Sequence, residues 1–165
     1  MRKWLLAVAG IALAVVGSAQ PAAAAEPIHN PISFSDTAVL TGICAFPVTV
    51  SFTATGRETV FTDQSGNVIR VQQHITEQDV FTANGKTLVG LPYTFNIRVL
   101  FDPQTGEETH VYAAGVVSRV PLPGGEVFLT AGRSDFLAHP DTSFLLQPDV
   151  GAQGNVAGFC AALAP

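Results

Sequence analysis

The sequence predicts an all-β protein, a single antiparallel meander of roughly seven or eight strands closing as a barrel and preceded by a signal peptide. Three observations carry this reading. Apolar residues recur at period two, turn chemistry separates the runs at regular intervals, and the mature chain holds no sustained helical stripe.

The leader comes first. Arg2 and Lys3 form a positive n-region, and Trp4 through Gly17 follow without a charge. This run is shorter than the roughly 20 residues that cross a bilayer, so no stable membrane anchor is expected after processing. Ala23 and Ala25 supply the small-x-small cleavage signature, which makes residues 1–25 a secretory signal and Glu26 the mature N-terminus. No arginine pair precedes the apolar run and no cysteine sits at the cleavage point, so general secretion is expected rather than twin-arginine export or lipid anchoring. The expected localisation is extracellular.

Residues 26–43 read as an N-terminal arm, and residues 44–165 as one β-barrel or β-sandwich domain. From Ala45 to Thr55, residues Phe46, Val48, Val50, Phe52 and Ala54 share one face, against Pro47, Thr49, Ser51 and Thr53. A half-buried strand has this pattern. Tyr93 to Phe101 repeats it, with Tyr93, Phe95, Ile97, Val99 and Phe101 together. Val111 to Val120 carries small or apolar residues on both faces, as a central strand does. The connections Asp63 to Asn67, Asn84-Gly85, Asp102 to Gly106 and Pro121 to Gly125 are turn chemistries, Asn84-Gly85 being the strongest hairpin signal.

Strands this long and apolar are not left at an exposed edge, and consecutive hairpins suit up-and-down order. A barrel is therefore expected, with a β-sandwich as the alternative. Val156 to Leu163 reads as a short helix or a last strand. Ala138 to Asn155 reads as a long loop, either simply mobile or a cap in which Phe144, Leu145 and Leu146 fold back over a barrel mouth.

The chain has only two cysteines, Cys44 and Cys160, near the two ends of the mature domain. Export would take them into an oxidising compartment, and neither lies in a Cys-x-x-Cys motif. A structural disulfide is expected, of about 5 kcal/mol at most in the chain-entropy picture.

The formal charge of the whole chain is −5, and loss of Arg2 and Lys3 makes the mature part more acidic. The remaining basic residues are scattered singly, which excludes the basic stripe of a nucleic-acid binder. No Gly-x-Ser-x-Gly, His-Glu-x-x-His or phosphate-cradling motif occurs, so no cofactor and no metal are expected. The four histidines, His29, His74, His110 and His139, lie far apart and read as solvated.

One stretch breaks the pattern. If Ile69, Val71, Ile75, Phe81 and Ala83 share an inward face, period two places Gln73, Glu77 and Asp79 there as well. The cost of burying unpaired carboxylates favours a turn or bulge at Thr76 to Asp79 that returns the acids to water. A continuous strand would instead point two carboxylates and an amide into a ligand cavity or an acid/base site.

Cys44-Ala-Phe-Pro-Val-Thr-Val-Ser-Phe-Thr53, Leu129-Thr-Ala-Gly-Arg-Ser134 and Phe159-Cys-Ala-Ala-Leu163, with the leader, resemble a group of small secreted proteins of high-GC Gram-positive bacteria. The likeness spans most of the mature chain. It implies export and paired cysteines, and it assigns no activity. The expected function is a secreted non-catalytic module that binds a small apolar ligand or a cell-envelope component, with Gln73, Glu77 and Asp79 as ligand-binding residues. The alternative is a barrel isomerase or cyclase with Glu77 or Asp79 as general base beside Gln73.

Overall fold

Branched and aromatic side chains at period two form long strands, and the computed structural model, which describes residues 26–137 and 149–165, contains eight of them. They are β1 (Ile28–Leu40), β2 (Val48–Thr62), β3 (Val68–Ala83), β4 (Lys86–Val89), β5 (Tyr93–Phe101), β6 (Glu108–Pro121), β7 (Val127–Asp135) and β8 (Val150–Ala152). One helix, α1 (Val156–Leu163), follows. The expected leader and its cleavage site, His139 and the expected cap residues Phe144, Leu145 and Leu146 lie outside the described residues.

All strands join one antiparallel sheet in the order β1-β2-β3-β5-β6-β7-β8, and β4 pairs with the far end of β3. The sheet does not close. Among the described residues β1 pairs only with β2 and β8 only with β7, so neither the expected barrel nor two stacked sheets is formed. The last strand has three residues against thirteen in β1, too few to run along it and seal the ring. The turns fall where the sequence puts them. Asn84 and Gly85 take positive φ between Ala83 and Lys86, as a two-residue hairpin requires.

Three segments depart from the sequence expectation; one is β8, a short strand paired with β7 inside the stretch from Ala138 to Asn155 that reads as a loop. The supposed arm is β1, paired to β2 from Ile28 through Leu40. Its side chains are exposed on both faces for most of its length, so it lacks the apolar alternation of a half-buried strand, and an edge position accommodates Pro31. In β6 the register shifts between Val116 and Ser118, which turns both Val117 and Ser118 inward and brings Val120 into phase with the core.

The registers also align a row across the sheet: Ile32, Gly56, Ile75, Phe95, Gly115, Gly132 and Gly151. Glycine is needed at Gly56, where a Cβ would lie 2.1 Å from the His74 carbonyl oxygen, and at Gly115, where φ is 133° and a Cβ would press on Phe95. Glycine rows and bulges let a sheet curl, and here one face becomes concave.

One end of that concave face is filled. Phe159 and Leu163 of α1 pack on Leu40, Val48, Phe81 and Phe128, and the Phe159 ring centroid lies 5.1 Å from Phe81 and 5.0 Å from Phe128. Asn155 caps α1 by accepting from the Gly158 N–H, and Asn84 donates to the Leu163 carbonyl at the other end. Cys44 and Cys160 form the expected disulfide, with Cα atoms 5.5 Å apart. It ties the β1–β2 connection to α1.

Candidate functional site

The rest of the concave face lines a cavity of about 320 Å³ that reaches from Leu40 and Phe81 beside the plug, across the glycine row, to Gln73 and Ile97. Its walls are mainly apolar, with Phe52, Ile75, Phe81, Phe95 and Ile97 prominent. Phe34 on β1 and Phe136 just beyond β7 come from opposite flanks of the sheet and both line it, so the cavity spans the unclosed seam. Phe34 is half exposed at its rim.

Strand β3 runs unbroken through Thr76 to Asp79, with Glu77 opposite Ala54 and Asp79 opposite Phe52. The expected turn or bulge is absent from this stretch, and Gln73, Glu77 and Asp79 all line the cavity. A single phenol makes this tolerable. Tyr93 Oη lies 2.6 Å from Glu77 Oε1 and 2.9 Å from Asp79 Oδ2. It carries one proton and can donate to only one carboxylate at a time.

The two acids therefore share an under-supplied site. Burial raises the Glu77 carboxyl above its ordinary range. Asp79, only 4% exposed, is pushed up to about 7 by burial first and by the negative Glu77 beside it second. Burial and the same two carboxylates raise Tyr93, which keeps its proton. Near neutral pH the pair thus gains and loses a proton, with Asp79 its main carrier.

Gln73 is placed differently. It lies on the same wall, but its Nε2 donates to Glu58 Oε2 at 2.9 Å, and Asn30 donates to the other Glu58 oxygen. The structure thus brings Glu77 and Asp79 together at Tyr93 and gives Gln73 a separate partner.

Sequence reasoning missed three contributors. The period-two pattern turns Tyr93 inward without linking its hydroxyl to the acids; a buried phenol on the same face as two carboxylates is a usable signal. Glu58 shares the inward phase of β2 with Ala54, beyond the run tested for alternation. Ser118 lies out of phase in a strict period-two count, and only the β6 bulge turns it inward. Its Oγ is buried in the cavity wall, 1% exposed as a residue, and has no hydrogen-bond partner.

His29, His74 and His110 are exposed; His29 bonds Thr59 and His74 bonds Asn96. Among the described residues no group of three or more His, Cys, Asp or Glu could hold a metal ion, and no helix is long and apolar enough to cross a membrane. Comparison with known proteins finds no matching family model, curated protein or solved structure.

Proposed function

We propose that this chain is an exported, non-catalytic binding module whose concave cavity takes a small apolar ligand, free or as part of a cell-envelope component. The charged, apolar and small-residue parts of the leader support secretion with cleavage after Ala25. The Cys44–Cys160 disulfide suits an oxidising compartment, as does the likeness to small secreted proteins.

The observation that carries the reading is the cavity itself. Interiors normally fill to crystal-like density, yet this one keeps a space of about 320 Å³ walled by aromatic and aliphatic side chains, with a few convergent polar groups. Glu77 and Asp79 act here as ligand-binding residues, and Gln73 supports the wall through Glu58.

Native mass spectrometry of the purified oxidised protein tests this. A reproducible small-molecule adduct that Phe95→Trp expels by filling the cavity is the expected result. Recovery of bare protein, with no saturable uptake of an apolar fluorescent probe, would end the reading.

One observation favours a second reading. A buried Asp79 that titrates near 7 beside Tyr93 is matched to proton transfer at neutral pH. An isomerase or cyclase would use Asp79 as general base or acid with Glu77 setting its charge. Loss of turnover of a cavity-bound substrate in Asp79→Asn, with binding retained, separates this from simple binding.

A further inference from the structure

We propose that the cavity ligand carries a protonated amine, seated between the Glu77 and Asp79 carboxylates, in a wall to which the buried Ser118 also contributes. This rests on the binding reading above and names the chemical class of the ligand.

Among the cavity's described wall residues there are two carboxyl groups and no lysine, arginine or histidine. A carboxylate taken out of water is costly unless paired and hydrogen-bonded. Tyr93 offers one proton to four carboxylate oxygens.

The groups facing the pair from the surrounding strands add no cation. Strand β2 presents Val50, Phe52 and Ala54, β5 presents Tyr93, and β6 presents Val117 and Ser118. Farther along β3, Gln73 is held by Glu58. The empty protein therefore meets its charge deficit with a bound proton.

A ligand ammonium does this better. Its several N–H groups can serve both carboxylates at once, which the single Tyr93 proton cannot, and its apolar body lies against Phe52, Phe95 and Ile97. A carboxylate or phosphate ligand would be repelled. A neutral alcohol would leave the ionised pair uncompensated.

Binding of the amine displaces the proton that the pair holds, and this proton passes to buffer. Affinity for an amine therefore rises as pH rises through about 7, where Asp79 ionises, while affinity for a neutral isostere does not.

Titration calorimetry with n-octylamine and 1-octanol tests this on the purified oxidised protein, at pH 5.5 and 8 and in two buffers of different ionisation heat. The expected result is octylamine bound about tenfold or more tightly than octanol at pH 8, with buffer-dependent heat near pH 7 and a smaller preference at pH 5.5. In Asp79→Asn and Glu77→Gln the preference narrows while octanol still binds, which also shows that each variant is folded. Equal affinities at pH 8, or a preference unchanged in both variants, would overturn the amine assignment and leave an apolar cavity. If neither probe binds, the binding reading itself falls.

Discussion

The two ends of the concave face are built from the same strands and solved differently. At one end α1 inserts Phe159 and Leu163 into a cluster in which Leu40, Val48, Phe81, Val120 and Phe128 are buried. At the other, Ala54, Ile75, Tyr93 and Phe95 form a smaller cluster beside open space and two acids. Strand β3 crosses both, passing from Glu77 and Asp79 to Phe81 within four residues. The difference teaches that the strands supply curvature, while stability is concentrated where the helix and disulfide plug the roll. The open end is free to hold polar groups that a filled core would reject.

If that division holds, the largest loss comes from the plugged end. Phe159→Ala removes the ring shared by Phe81 and Phe128 and costs about 3–5 kcal/mol in chemical denaturation. Next comes the staple. Replacing Cys44 and Cys160 together by serine frees the β1–β2 connection from α1 and costs about 2–4 kcal/mol. A cost of equal size for Phe95→Leu at the open end would erase the contrast between the two clusters.

Why the plugged end was more legible than the open one follows from the kind of signal each leaves. Val48, Val50, Phe81 and the Asn84-Gly85 turn obey period two and local turn chemistry, both readable in a short window. The inward phase of Glu77 and Asp79 was readable too, but the rule against buried carboxylates argued against it. What reversed that rule was Tyr93, sixteen residues from Glu77 in sequence and 2.6 Å from it in space. Strand β1 left no periodic trace because an edge exposes both faces. The glycine row exists only once seven residues from separate strands are placed in register, and Ser118 needed a bulge that no single strand announces.

The acid pair makes the open end sensitive to pH in a defined direction. Unfolded, Asp79 titrates near 3.8; folded, it titrates near 7. Between these values only the folded state holds the proton, so stability falls as pH rises from about 4 to 7 and levels off above. Asp79→Asn removes this slope. The variant should be more stable than the parent at pH 8 by up to about 4 kcal/mol, with no such gain at pH 4, as measured by urea unfolding. A parallel pair of stability curves across this range would show that the carboxyl is not held in its protonated form.

The smallest effect is the most diagnostic of what the open end is for. Ser118 Oγ is buried without a partner, and such a group costs stability of about 1 kcal/mol or more relative to a side chain that lacks it. Ser118→Ala should therefore raise the unfolding free energy by about 1 kcal/mol, because the methyl of alanine suits the apolar wall. The same change removes a hydroxyl from the cavity wall, so uptake of a polar-headed ligand should weaken while the fold strengthens. A gain in stability coupled to a loss of binding marks a group kept for its ligand, since packing alone would have selected alanine. If Ser118→Ala instead destabilises the protein and leaves ligand uptake unchanged, the hydroxyl serves the β6 bulge, and the contrast between a structural end and a binding end must be redrawn.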